Sequence, residues 1–305
     1  MLTTILSRAE VSRHMQALHL LSELRQAFTS RGPGGDQASS FEPPGVLGAT
    51  VVRQATQGGI PAWSLSIRAA QPTTSKSSGA TLHLYDTKTG HLLALMDAGH
   101  LSSLRAAVVG ALAADVLASP QTRTVALLGG GPAVSSALKA LRLVRSLERI
   151  TLFDADLVAA TEQSFKLQTT LSAAVRACDT AEEAVHDAEL IVLTGSVPLP
   201  TDTLKPGAHV TVMNAELNGA SPLPVPLLSR ARCFCDDLRP PLAWAPALKG
   251  TLAQVLAGAV PARTSPDDVT VFLSIGPPFL ELVAAWHVYE SARRDETLTR
   301  IDLSA

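Results

Sequence analysis

The stretch Leu127-Leu-Gly-Gly-Gly-Pro-Ala-Val-Ser-Ser-Ala-Leu138 decides how this chain folds. An apolar run, VALL (125–128), enters three glycines and leaves through a proline into a segment with helical character. Gly129 and Gly131 match the first two glycines of a G-x-G-x-x-G/A pattern. In that pattern the first glycine makes a tight turn and the second lets backbone approach a pyrophosphate. Free amides at the helix start then bind the anion. Pro132 suits the first helical turn, where its missing N–H is not needed. Val134 occupies the third small position and departs from the pattern.

The other half of the fingerprint is an acid at the end of the next strand, about twenty residues on. RITLFDAD (149–156) supplies Asp154. A carboxylate there accepts from both hydroxyls of an adenosine ribose and repels a 2′-phosphate. Ala155 follows, so no arginine offsets that repulsion. Asp154 therefore favours NAD(H) over NADP(H). The cofactor candidates are Gly129, Gly130, Gly131, Pro132, Ala133 and Asp154, with Thr194, Ser102 and Ser274 beside them. The plain alternative is a strand–turn–helix unit in which Asp154 or Asp156 only caps a helix.

Outward from the glycines, strands and helices alternate. Strands are expected at 124–129, 149–154, 175–178, 189–194, 209–214, 232–236 and 269–276, with helices at 132–146, 156–170 and 278–294 among them. This alternation implies a mainly parallel, doubly wound α/β sheet. Upstream, residues 4–30 read as helical, with a capping box at Ser7 and Glu10 and a second helix over about 17–29. RGPGGDQASSFEPPG (31–45) reads as a loop. VLGATVVRQ, AWSLSIRAA, ATLHLYD and HLLALMD, between 46 and 97, read as strands of a small, mostly antiparallel sheet. Ser102–Ala118 is a long helix rich in alanine.

A chain of 305 residues makes one large or two medium domains. The net charge of −2 comes without a basic stripe, which argues against a nucleic-acid partner. No apolar run is uninterrupted for long enough to span a bilayer. The first residues lack the pattern of a secretory signal. Three cysteines make no disulfide framework, and a reducing cytoplasm is the simplest compartment. Cys233-Phe-Cys235 reads as strand, with buried structural thiols. The scattered histidines lack zinc-site spacing, so no metal is expected.

The segment HLLALMDAGHLSSLRAAVVGALAADVLA (91–118) resembles the ornithine cyclodeaminase/μ-crystallin family, in which Ala-Leu-Met-Asp leads into Leu-Thr-x-x-Arg-Thr. Met96, Asp97, Leu101, Ser102 and Arg105 stand at the matching places. ILSRAEV…AF (5–28) and VFLSIGPPFLELVAAWHVYESA (271–292) extend the likeness over nearly the whole chain.

The resemblance implies a Rossmann-type lobe, 119–277, and a smaller α+β lobe from 1–118 plus 278–305 for substrate binding and homodimerisation. It implies an NAD(P)-dependent oxidoreductase acting on the C–N bond of a small amino or imino acid. Ornithine cyclodeaminase, ketimine or pyrroline-carboxylate reductase and alanine dehydrogenase are the types expected. Arg105 matches the family's carboxylate-binding arginine; alternatively it is a surface or phosphate-pairing arginine. Glu216 falls where a catalytic aspartate is expected, or is a solvated loop acid. The family's lysine is replaced by Ser66, and Arg68, two residues on and on the same strand face, could supply the lost cation. An arginine cannot donate a proton near neutral pH. A non-catalytic relative that binds a dinucleotide or another small ligand is therefore the second expectation. The family threonines are replaced by Ser102 and Ala106, and FEPPGVLG lacks an expected arginine.

Overall fold

The computed structural model describes residues 2–30, 38–41, 50–69, 79–195, 197–213, 223–238 and 248–303. Contacts divide the chain into two compact units, 1–105 with 277–305, and 106–276.

The first unit contains β1 (Leu2–Leu6), α1 (Arg8–His14), α2 (Ala17–Ser30), β2 (Ala38–Phe41), β3 (Thr50–Thr56), β4 (Ala62–Ala69), β5 (Ala80–Asp86) and β6 (Leu92–Asp97). The strands form a sheet in the order β15-β1-β6-β5-β4-β3-β2, where β15 is Arg300–Asp302. Among the described strands only the β1–β6 pair is parallel. Alternation in β5 puts Ala80, Leu82 and Leu84 on the buried face. Helix α9 (Pro278–Ala292) packs on β3, β4 and β5 and against α1 and α2. Phe279 of α9 meets Phe28 of α2 edge to face, with centroids 5.6 Å apart.

Two expectations are corrected here. Residues 4–6 are strand, not helix, because Leu2–Leu6 pairs with β6 on one side and with β15 on the other. Helix α1 starts after Ser7, whose capping box with Glu10 is formed: Ser7 N–H donates to the Glu10 carboxylate at 2.7 Å. Residues 38–41, placed in a loop by composition, pair antiparallel with β3.

Helix α3 (Ala98–Leu117) begins four residues before the expected Ser102. The cause is Asp97, whose Oδ1 accepts the His100 amide at 2.6 Å and caps the first turn. By length and composition α3 could cross a membrane, but 72% of its apolar window is buried within the protein. His100, Arg105 and Asp115 also interrupt it.

The second unit is built on β7 (Thr124–Leu128), α4 (Gly131–Leu141), β8 (Arg149–Phe153), α5 (Leu157–Leu171), β9 (Val175–Ala177), α6 (Ala181–Val185) and β10 (Leu190–Leu193). It continues through β11 (His209–Val212), α7 (Val225–Arg230), β12 (Arg232–Cys235), β13 (Leu248–Thr251), α8 (Leu252–Leu256) and β14 (Thr270–Leu273). All eight strands are parallel, in the order β13-β12-β14-β11-β10-β7-β8-β9. Strands β10, β11 and β14 are buried along their whole length, as expected for a sheet covered on both faces. Burial pushes the Cys233 thiol up to about 11, and that of Cys235 higher still.

His209 is fully buried at the start of β11, with its ring nitrogens 2.8 Å from Thr270 Oγ1 and 3.0 Å from Thr211 Oγ1. Burial pushes its imidazole down to about 3, against about 6.5 in an unfolded chain. Unfolding takes up a proton between these values. The contribution of the neutral ring is therefore complete above about pH 6.5 and is lost as pH falls towards about 3. His209→Gln should remove a pH dependence of up to ~1.4 kcal/mol per pH unit within that window. Urea midpoints of wild type and variant at pH 7 and pH 5 measure it, and parallel pH profiles would disprove it.

Candidate functional site

Strand order reverses between β7 and β10: β8 and β9 follow β7 on one side, while β10 and β11 lie on the other. In open α/β sheets such a switch point leaves a crevice at the carboxyl ends of the strands. The glycines sit in it. Gly129 has φ +115°, and a Cβ there would lie 2.6 Å from Thr194 Oγ1 and 3.0 Å from the Gly195 nitrogen. Two backbone bonds hold this approach: Gly129 N–H donates to Phe153 O at 2.8 Å, and Thr194 N–H to Leu128 O at 2.9 Å. Gly130 is the N-cap of α4 in extended backbone, with no side chain capping the helix. A Cβ at Gly130 would come within 2.6 Å of Asp154 Oδ2. Gly131 has φ +70°, and nothing lies within 4 Å of its Cβ position. Pro132 and Ala133 follow in the first turn of α4.

Asp154 follows β8 with its carboxylate against the glycine turn, and its Oδ1 accepts the Asp156 amide at 2.9 Å. Asp156 is the cap of α5, accepting from the Ala159 amide at 3.0 Å. The two acids thus do different work. The arrangement fits a dinucleotide: open space over Gly131, helix amides left uncapped, a positive dipole end and a carboxylate beside the turn.

Thr194 is half-buried and its hydroxyl donates weakly to Leu128 O at 3.4 Å. Ser274 is buried just beyond β14, and its hydroxyl donates to Asp236 Oδ2 at 3.2 Å. Asp236 also accepts the amides of Ile275 and Gly276, each at 2.9 Å. This buried acid, which shapes the turn after β14, was not singled out from the sequence.

The first unit holds a second group of polar side chains. Arg53 on β3 pairs in register with Ser66 on β4, so both point to one face, and Arg68 shares it. Helix α9 brings Glu281 to this face and α3 brings Ser102. Glu281 is 4% exposed. It accepts from Ser66 Oγ at 2.9 Å and from Ser102 Oγ at 2.8 Å. Arg53, Ser66, Arg68, Ala98, Ser102 and Glu281 line a cavity of about 50 Å³.

Arg105 is buried, two turns into α3 rather than at its start. Glu216 lies outside the described residues. Glu281 and Arg53 were not singled out either. Glu281 had a visible signal, an acid in the otherwise apolar run PFLELVAA. Arg53 had none until the hairpin register was known.

A larger depression, about 330 Å³, lies around Thr124, Arg149, Arg176, Glu183 and Asp187. It sits at the amino ends of β7 and β8, away from the glycine turn. Its charges are paired with one another, Arg149 with Asp187 at 3.5 Å and Arg176 with Glu183. It is the wrong end of the sheet for a nucleotide.

These features define an α/β protein with a Rossmann-type parallel sheet and a smaller, mostly antiparallel α+β unit. The profile of the Ornithine cyclodeaminase/mu-crystallin family matches residues 66–296, and the chain belongs to that family. It is similar to the ketimine reductase mu-crystallin of Mus musculus, with 26% identity over 307 residues, 94% of this chain and 96% of the relative. It is also similar to the Δ1-pyrroline-2-carboxylate reductase of Bacillus thuringiensis subsp. konkukian, with 26% identity over 255 residues, 77% of this chain and 78% of the relative. An archaeal alanine dehydrogenase dimer with bound NAD shares the fold, with a TM-score of 0.90 at 23% identity over 99% of this chain and 100% of that one.

The close approach at Gly129 is testable. Gly129→Ala combines a disfavoured backbone with a steric clash and should cost on the order of 3 kcal/mol. It should lower the melting temperature and abolish dinucleotide binding. A variant that melts with wild type would contradict the packing described.

Proposed function

We propose that this protein is an NAD(H)-dependent oxidoreductase acting on the C–N bond of a small amino or imino acid. The observation that carries this reading is the open glycine turn with Asp154 beside it, at the switch point of a chain belonging to this family. The names of the relatives, ketimine reductase and pyrroline-2-carboxylate reductase, support the substrate class. The bound NAD in the archaeal neighbour supports the cofactor.

When bound, the dinucleotide would supply or accept hydride at nicotinamide C4. The amides at the start of α4, above Gly131, would hold the pyrophosphate. Asp154 would accept from the adenosine ribose hydroxyls, which favours NAD(H) over NADP(H). Thr194 and Ser274 would border the same crevice. In the first unit, Arg105 and Arg68 would hold the substrate carboxylate as bidentate donors, with Ser66 as a further contact. Glu216 would exchange the proton on the nitrogen or on water. Homodimerisation is part of this proposal, in line with the dimer named for the archaeal neighbour. So is a cytoplasmic location, since three free, buried cysteines suit a reducing compartment.

One observation favours a second reading, a dinucleotide-binding relative without turnover. Ser66 stands where the family resemblance expects a proton-donating lysine, and its hydroxyl is committed to Glu281.

NADH oxidation with a panel of cyclic imines, and with 2-oxo acids plus amines, separates the two. Turnover supports the enzyme. NADH binding without turnover across the panel supports the second reading, and binding of neither NADH nor NADPH removes both. Arg105→Ala should raise KM on the order of 100-fold, because a buried carboxylate loses its charged partner. An unchanged KM would take Arg105 out of the site. Asp154→Asn should raise the NADH Kd about tenfold and narrow the gap to NADPH, since it removes charge-assisted acceptance by the carboxylate. Fluorescence titration reads both, and an unchanged ratio would dismiss the ribose role.

A further inference from the structure

We propose that Glu281, Ser66 and Ser102 form a cradle for the protonated nitrogen of the substrate, and that Arg53, in the same cavity as Arg68, is a further cation for the carboxylate assigned above to Arg105 and Arg68. The first unit would then select a zwitterionic amino- or imino-acid head. This rests on the amino- or imino-acid reading given above and assigns the groups that recognise it.

The argument starts from hydrogen-bond capacity. A serine hydroxyl has one proton to donate and two lone pairs. Ser66 and Ser102 both spend that proton on Glu281. Their oxygens therefore present only lone pairs to the rest of the cavity. The Glu281 carboxylate is an acceptor too, with room for about four hydrogen bonds, of which two are used. Three acceptor groups thus converge with no donor among them. A protonated nitrogen has the opposite inventory, donors only and a positive charge. A carboxylate offers only lone pairs where lone pairs already stand, and a hydroxy group brings a single donor and no charge.

Charge points the same way. Glu281 is 4% exposed. Among the described residues it is held by the two hydroxyls and by no ion pair. A buried carboxylate gains from a cation in direct contact with it, and an ammonium or iminium group supplies one. Arg53 and Arg68 line the same cavity and share the β-sheet face with Ser66. They place guanidinium donors beside the acceptor cradle. A group that satisfies both halves carries a cationic nitrogen and a carboxylate close together. The cavity is small, about 50 Å³, and large enough to admit a polar group.

The test measures discrimination. Calorimetry on the NADH-loaded protein compares L-proline with cyclopentanecarboxylate, and L-alanine with propionate. Each pair differs in the nitrogen and keeps the carboxylate. L-Proline is the product of reducing Δ1-pyrroline-2-carboxylate. Wild type should prefer the nitrogen-bearing member at least about tenfold. Glu281→Gln should remove most of that preference and leave the des-amino acids within about twofold, with Glu281→Asp restoring part of it. Arg53→Met should weaken both members of each pair alike. NADH affinity should stay the same in all variants. If Glu281→Gln melts early, Glu281→Asp is read in its place, with a partial loss of preference expected.

No preference in wild type, or equal losses for both members in Glu281→Gln, overturns the proposal. If the wild-type holoprotein turns over imines and Glu281→Gln leaves discrimination intact, the cradle falls and the enzyme reading stands. If wild type binds none of the four probes and turns over no imine, both fall.

Discussion

The approach of the β7–α4 turn to the end of β10 governs the second unit. At Gly129 the backbone passes so close to Thr194 that a single carbon would overlap it. The constraint is geometric and local, yet it follows from a topological fact. Strand β7 has β8 on one side and β10 on the other, so the chain leaving β7 must cross the gap where the sheet changes direction. Gly129 meets Thr194, Gly130 meets Asp154, and Gly131 opens outward. Three adjacent glycines thus answer to three surroundings. A side chain at the first would overlap the end of β10, one at the second would have to displace the Asp154 carboxylate, and the third marks where a ligand can come near.

The first unit works by different means. Its polar cavity is assembled by register rather than by a tight turn. Strands β3 and β4 bring Arg53 and Ser66 opposite each other, and the period of two adds Arg68. Helices α3 and α9 then lower Ser102 and Glu281 onto that face. Asp97 has an indirect part in this: by capping α3 four residues earlier than expected, it sets how far along the helix Ser102 and Arg105 fall. A buried carboxylate held by two hydroxyls is a polar arrangement largely removed from water. Such groups must be satisfied by one another or by a ligand.

Much of this was legible in advance. The parallel sheet showed in the alternation of apolar strands and helices, and the glycine turn with its following acid showed in spacing. Both depend on contacts close in sequence. What was hidden depends on distant partners. The strand at Leu2–Leu6 needs Arg300–Asp302 and β6 beside it, and nothing near residue 4 announces either. The strand at Ala38–Phe41 is set by pairing with β3 in spite of a serine-rich composition. Arg53 acquires meaning only through cross-strand register. Glu281 was the exception: a charged residue in an apolar helix is visible in one dimension and needs a partner in three. Spacing had left open whether Asp154 or Asp156 caps a helix, and Asp156 proves to be the cap of α5.

The hairpin register between β3 and β4 has an evolutionary consequence. Because neighbouring strands display their side chains in fixed opposition, the chemistry of the cavity can be rewritten by exchanging residues at a few facing positions, with the backbone untouched. A lysine can give way to a serine at one place while cations stand at others nearby. The glycine turn lies in a separate compact unit and places no demand on those positions. One half of such a chain is thus free to drift in what it recognises while the other stays fixed by steric necessity.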